Sequence, residues 1–497
     1  MVSSYKTPGV YIKEIAKFPP SVVPVETAIP AFLGYTQVIN YQGEDLVNRP
    51  VEISSFLEFE QVFGTAPPLG GFTVVVDANG RVQEGIPDPN QEALARFRLA
   101  YALRHFYDNG GSKCYVISLG NYSASGGTSA IVDAHVAGLA ALAKEDEPTL
   151  IVMPDLSGMT AGVAALTDPA EIAAAIAATR ASYHGVLVQA LNQCATLGDR
   201  FLIGDLWDGD QAGAGGIEAF RNGIGTSNLR YGAVYHPYIH TTLPWAWAEN
   251  EITVSQPFKR DADGDPVADM ALRQLLVNET GNPDNDARVD TTLYAAVRQE
   301  LDRYTVILPP AAAVAGVYAT VDRTRGVWKS PANESLTGVR SLTVNIDNRV
   351  QDDLNVHPTG KSINALRFFT GKGNLVWGAR TLAGNDNEWR YVAVRRFFNM
   401  AEESIKKATE AFVFEPNDAN TWIKVKAMIE NFLILQWRAG ALAGAKPEDA
   451  FYVRVGLGVT MTAQDILEGR MNVELGMAVV RPAEFIILKF SHKMQEA

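Results

Sequence analysis

Two aspartates stand where a carboxylate could do chemistry. Asp155 closes the apolar run "TLIVMPDL", and Asp205 closes "RFLIGDL". If those runs are parallel strands, both carboxylates reach the sheet edge at which α/β enzymes keep acids, bases and nucleophiles. Hydrolysis there needs a partnered His, Ser or Lys, and no motif supplies one. Asp is favoured at the same positions for a second reason: its short side chain accepts backbone N–H groups at turns and helix starts. An α/β hydrolase using Asp155 and Asp205 is therefore the enzymatic alternative, and capping is the structural one.

Other short motifs fail on spacing. "PTGKS" (Pro358–Ser362) resembles a phosphate loop, but Asn355 stands where the first glycine belongs. "GLGVTM" (Gly456–Met461) has two glycines of a dinucleotide fingerprint and lacks the third. "HPYIH" places His236 and His240 four apart, but Pro237 opposes a helix and no Glu follows the first His. "DADGD" (Asp261–Asp265) begins like a calcium loop, yet Pro266 and Leu272 occupy its sixth and twelfth positions. "WDGDQ" around Trp207 sets one aromatic between acids, which suits a sugar only weakly. Cys114 and Cys194 are too few for a disulfide framework or a metal site. The sequence predicts no catalytic residue, no cofactor and no metal.

Bulk properties narrow the partners. A net charge of −13 opposes nucleic acid and anionic membranes. The N-terminus is polar and proline-rich, without a signal-type apolar core. The uncharged stretch Val306–Val321 holds Pro309 and Pro310, and at about 16 residues it is short for a bilayer. The expectation is a soluble protein assembled in a reducing cytoplasm, with no direct membrane insertion. At 497 residues it should fold as about two to four domains.

Positioning elements follow from periodicity. Val10 and Ile12 share one side of a strand-like start, and Tyr11, Lys13 and Ile15 the other; Pro19, Pro20 and Pro24 then stiffen a connector. "AIPAFLGYT" reads as a buried strand, "SSFLEFEQVFG" as a helix begun by Ser54 or Ser55 and ended by Gly64. Residues 67–90 read as an exposed loop. "QEALARFRLAYALRHFYDNGG" reads as one amphipathic helix with Leu94, Phe97, Tyr101 and Phe106 on a face. "KCYVISL", "TLIVMPDL", "RFLIGDL" and "RYGAVYHPY" then alternate with helices, which predicts a largely parallel α/β sheet. Residues 243–300 are acidic and read as a peripheral insertion, where a sugar-binding adhesin would place its site.

After about residue 360 the character changes. Val394, Phe397, Phe398, Ala401, Ile405, Ala408 and Phe412 recur at helical spacing, opposite Arg395, Arg396, Glu402, Glu403, Lys406 and Lys407. Glu402–Lys406 and Glu403–Lys407 are i,i+4 pairs of roughly 0.2–0.5 kcal/mol each. A second helix starts at Asp418 and carries Trp422, Val425, Ile429, Phe432 and Leu433. "MNVELGMAV" alternates like a strand, and "EFIILKF" (Glu484–Phe490) reads as a strand buried on both faces.

Long blocks carry a family resemblance. "LPPAAAVAGVYATVDRTRGVWKSPANESLTGV" (Leu308–Val339), "INALRFFTGKGNLVWGARTL" (Ile363–Leu382) and Trp389–Gly456 resemble consecutive blocks of contractile tail sheath proteins, as do the opening "TPGVYIKEI" and the closing "RPAEFIILKF". The likeness is weakest near 65–90 and 205–300. It implies an α/β and α+β multidomain fold: a linking arm at 1–27, a central and outer α/β domain at 28–360 with variable insertions, and an inner domain at 361–497. It implies exchange of β-strands between subunits through Val10, Tyr11, Ile12 and Ile15 at one end and Phe485, Ile486, Ile487 and Leu488 at the other. The implied partners are copies of the chain in stacked hexameric rings, an inner tube protein, and baseplate and terminal cap proteins. In such sheaths a charged helix faces the tube; Arg395, Arg396, Glu403, Lys406 and Lys407 are the candidates, although two helices compete for that role. The N-terminal wording resembles sheaths of phage-like extracellular injection systems more than phage tail sheaths.

Overall fold

"PAFLGYT" carries no charge, and the computed structural model buries all of Pro30–Thr36. Such a strand needs covering on both faces, and alternation supplies it: Ala31, Leu33 and Tyr35 enter one core while Phe32 enters the opposite one. Residues 21–488 are described, except 92, 125–126, 164–165, 210–214, 261–263, 265–266 and 277–288. Val10, Tyr11, Ile12 and Ile15 lie outside the described residues.

The described chain divides into two compact units. The larger comprises Glu26–Asn399 and the residues from Arg481 onward; the smaller comprises Met400–Val480 and the described residues before Glu26. The larger is built on a nine-stranded sheet. Its order is Glu334–Ser335, Gly373–Val376, Asn364–Phe369, Gly232–His236, Phe201–Asp205, Leu150–Val152, Pro30–Thr36, Cys114–Asn121 and Pro50–Ile53. Pairing is parallel from Asn364–Phe369 through to Cys114–Asn121 and antiparallel at both margins. The boundary between units falls at Asn399/Met400, later than the change of character near residue 360, because Asn364–Phe369 and Gly373–Val376 belong to this sheet.

Helices cover both faces. Leu99–Asp108 and Ala311–Arg325 lie over one core, and Thr128–Leu142 and Pro169–Leu197 over the other. Ala311–Arg325 is buried at Ala311 through Ala319, and its Ala-Gly composition permits close approach. A Cβ on Gly316 would sit 2.5 Å from the carbonyl oxygen of Phe106, so the helix contact itself requires glycine. Ser55 caps Phe56–Phe63 by accepting the N–H of Glu58, and Gly64 ends it at φ +82°, as the sequence suggests.

Two local expectations need correction. Residues 91–108 are not one helix: 3-10 turns at Pro89–Gln91 and Ala93–Arg96 precede an α-helix that starts only at Leu99. Phe97, Tyr101 and Phe106 accordingly enter three separate cores. Residues 67–90 are not simply a loop. Thr73–Val76 pairs in parallel with Thr253–Ser255, flanked by Val82–Glu84 and Met270–Ala271. The β-branched run "TVVV" and the apolar residues of the second insertion thus share a core of Val74, Val76, Trp245, Trp247, Val254 and Leu272.

Arg396 joins the helix Val392–Thr409 to Ala311–Arg325 inside the larger unit. Its Nη1 donates to Asp322 Oδ1 at 3.0 Å and its Nη2 to Oδ2 at 2.5 Å, with side-chain exposures of only 4% and 5%. Its guanidinium lies 4.7 Å from the Tyr318 ring, and the Tyr318 and Tyr235 hydroxyls are 2.7 Å apart.

The smaller unit packs the later turns of Val392–Thr409 and Ala419–Arg438 with one antiparallel pair, Phe451–Val455 and Val473–Met477. Asp418 caps the second helix by accepting the N–H of Thr421. Val425, Met428, Ile429, Phe432 and Leu433 form its buried stripe.

Removing one partner of the buried pair strands the other charge. Asp322→Ala should cost about 3–5 kcal/mol in chemical denaturation of the purified subunit; a loss below about 1 kcal/mol would contradict the assigned role. A second expectation concerns acid. Burial pushes His135, His184 and His236 down to about 4, with Arg180 adding to the effect at His184. Unfolded imidazoles titrate near ~6.5, so the unfolded state binds more protons between these values. The stability tied to neutral imidazoles is complete above about pH 6.5 and is lost as pH falls toward about 4. His135→Leu should therefore flatten the decline of Tm over that range; an unchanged slope would contradict it.

Candidate assembly surfaces

Both candidate catalytic aspartates accept backbone N–H groups. Asp155 Oδ2 accepts the N–H of Tyr35 at 2.6 Å, and Oδ1 accepts those of Arg98 at 2.5 Å and Leu99 at 2.8 Å. Asp205 Oδ1 accepts the N–H of Ala311 at 2.8 Å. The helices Leu99–Asp108 and Ala311–Arg325 have no side-chain cap of their own, since Arg98 and Pro310 precede them. Asp155, in the 3-10 turn Pro154–Gly158, and Asp205, at the end of its strand, supply both caps, and the carboxylates meet the positive helix ends. A Cβ on Gly34 would lie 2.6 Å from Asp155 Oδ2, which explains the glycine in "FLGYT". Burial raises both carboxyls to about 7, against the lowering effect of these bonds. A cavity of about 190 Å³ beside Asp155 is lined by Tyr35, Arg96, Phe97, Leu119 and Ile131. It is mainly apolar and brings no nucleophile to the aspartate.

The remaining motifs are structural. Lys361 of "PTGKS" is buried and donates to the carbonyl of Arg221. Trp207 Nε1 donates to the Met159 carbonyl at 2.8 Å, and Asp208 pairs with Arg180. Gly456–Met461 is a turn closed by Gly458 N–H to the Met461 carbonyl. Most of Asp261–Asp265 lies outside the described residues. One cluster invisible in the sequence brings Glu218, Asp353 and His357 together. Arg221 Nη1 sits 2.8 Å from both carboxylates, so a guanidinium already supplies the positive charge there.

The charged helix face is narrower than its spacing suggests. Arg395, Arg396 and Glu403 are buried, whereas Glu402, Lys406 and Lys407 are exposed. Arg396 is consumed by Asp322, and Arg395 Nε donates to Asn399 while its guanidinium stacks 4.3 Å from Trp389. Glu403 pairs with Lys407 at 2.7 Å. Spacing alone cannot separate an arginine turned inward from one turned outward, and the interior carboxylate at Asp322 decides the case. Beyond this helix, Val413 and Phe414 are exposed, with Phe414 at φ +72°; helical spacing signals neither.

The C-terminal run behaves differently from its pattern. "EFIILKF" reads as doubly buried, yet Phe485, Ile486, Ile487 and Leu488 are 70%, 79%, 81% and 72% exposed and form no strand; Lys489 and Phe490 lie outside the described residues. In the smaller unit, the pair Phe451–Val455 and Val473–Met477 has no third strand among the described residues. A two-stranded sheet is marginal by itself.

Residues 384–493 match the phage tail sheath C-terminal domain. Along nearly its whole length the chain resembles solved sheath-type chains. It is 31% identical to a chain of the anti-feeding prophage helical sheath in its contracted state, covering 99% of this chain and 100% of that one, with a TM-score of 0.60. It is 27% identical, over 99% of each chain and with a TM-score of 0.60, to a chain of the PVC sheath complex, an extracellular contractile injection system in its contracted state. The tail sheath protein of Vibrio phage KVP40 is 29% identical over 153 residues, which is 29% of this chain and 22% of that protein. The match thus spans about a fifth of that curated relative. No helix among the described residues is long and apolar enough to cross a membrane. The chain belongs to the family of contractile sheath proteins shared by phage tails and phage-tail-like injection systems.

Proposed function

We propose that this chain is the sheath subunit of a phage-like contractile injection particle. It polymerises as stacked hexameric rings around an inner tube and contracts to drive that tube through a target envelope. The observation that carries the reading is the row Phe485–Leu488, which offers apolar side chains to solvent and has no strand partner among the described residues. Burying four such side chains contributes on the order of 6–12 kcal/mol gross, from which ordering and docking subtract much. The natural acceptor is the two-stranded sheet Phe451–Val455/Val473–Met477 of another copy, completed by strand addition. Val10, Tyr11, Ile12 and Ile15 would add in the same manner from another neighbour. Head-to-tail pairing that does not close makes a helical polymer.

Sheet pairing of this kind would keep neighbours linked while their bodies repack, which contraction from a trapped extended state requires. Lys406 and Lys407, exposed on the charged helix and the second of them paired with Glu403, would present positive charge to the inner tube. Arg395, Arg396 and Glu403 would act behind them as supports. Polar contacts suit a surface that must let go. Baseplate and terminal cap proteins would close the two ends of the polymer, and assembly would take place in the bacterial cytoplasm. The full-length likeness to injection-system sheaths favours that class over a phage tail; neighbouring capsid and terminase genes would reverse the assignment. Asp155 and Asp205, committed to helix ends, speak for a structural subunit over a hydrolase.

Deleting residues 1–20 should leave a subunit with wild-type circular dichroism that forms no tubes in negative-stain micrographs; normal tubes would rule out the arm. Lys406→Glu with Lys407→Glu should lower co-sedimentation of sheath with its tube protein at least about tenfold at low salt, with a smaller difference at high salt. Equal binding at both salts would remove these lysines from the tube contact.

A further inference from the structure

The exposed run begins one residue after a heavily held carboxylate. Arg380 Nε donates to Glu484 Oε1 at 2.9 Å and Oε2 at 3.2 Å, and Arg380 Nη2 donates to Oε2 at 2.5 Å. Asn355 Nδ2 donates to Oε1 at 3.0 Å, and the Tyr391 hydroxyl to Oε2 at 3.3 Å. Arg380 is only 4% exposed in its side chain, and Glu484 is 22%. The next four residues lie in water. Arg380 is fixed in turn by the main sheet: its N–H donates to Asn364 Oδ1 at 2.8 Å, and its carbonyl accepts Asn364 Nδ2 at 2.8 Å. Asn364 is buried at the head of the parallel strand Asn364–Phe369. An unbroken chain of bonds therefore runs from the sheet to the root of the tail.

Three donor side chains, one of them a planar fork, are far more than a loose terminus needs to stay soluble. They determine where Phe485 leaves the body and in which direction. We propose that Glu484, gripped by Arg380, is the positioning anchor of the C-terminal strand: it preorganises Phe485–Leu488 for capture by a second copy of this chain. The proposal rests on the strand-exchange reading above. Its energetic basis is entropy. A tail whose first residue is already fixed loses less freedom on docking, and each backbone residue left free adds a cost equivalent to about a tenfold weaker association. The fork matters as well as the charge, because lysine cannot reproduce the planar double contact.

Four variants test the anchor by the critical concentration for tube formation, with Tm measured alongside. Glu484→Gln and Arg380→Lys should each raise that concentration about tenfold. Inserting Gly-Gly between Glu484 and Phe485 leaves the grip intact and lies at the exposed tail, so it should raise it at least as much with Tm unchanged. A chain ending at Arg481 should form no tubes. If the truncated chain is inert while the insertion and both point variants assemble at the wild-type concentration, the anchor is wrong and strand exchange stands. If the truncated chain assembles normally, strand exchange itself fails. If the point variants do not fold, the insertion alone decides: a wild-type concentration overturns the anchor.

Discussion

Four successive apolar side chains held in water carry a hydration cost that burial against a partner removes. Phe485–Leu488 is in that condition, with no ladder partner among the described residues, and under the proposed strand exchange the rest of the molecule is the body that holds this segment in place. Edge strands are ordinarily blunted with charge or proline to prevent addition of another chain. Here the proline, Pro482, precedes the run rather than interrupting it, and the next charge after Glu484 is Lys489. The composition keeps the segment competent to pair.

Holding the tails requires a rigid body, and the larger unit achieves rigidity through buried polar pairs as well as apolar packing. The two aspartates that resemble catalytic groups tie helix ends to strand ends across the sheet. Arg396 and Asp322 tie the helix that runs on into the smaller unit to the long alanine-rich helix. Such pairs contribute modest net stability but fix geometry, since any displacement leaves a charge unpaired. Under the proposed contraction the subunit would have to transmit displacement, which a body that deforms would dissipate.

The parallel sheet, the Ser55–Gly64 helix and the helix begun at Asp418 were legible because each rests on local rules: apolar period, cap and stop. The break at Leu99 was not, because its cause is Asp155, far along the chain. The strand pairing of Thr73–Val76 with Thr253–Ser255 was hidden for the same reason, and a Gly- and Pro-rich surrounding disguised it as loop. At the candidate tube face, spacing identified a charged stripe but could not assign direction; Arg395 and Arg396 turned inward to aromatic and carboxylate partners. The tail reads as a strand in the sequence, whereas Phe485–Leu488 forms none here and stays exposed: an apolar pattern reports what side chains require and not whether the chain itself supplies it.

Amide hydrogen exchange across residues 482–490, compared between dispersed subunits and assembled tubes, tests the central claim most directly. The account predicts fast exchange in the subunit and strong protection in the tube, alongside new protection at Phe451–Val455 or Val473–Met477. Equal exchange in the two states, whether fast in both or slow in both, would contradict it.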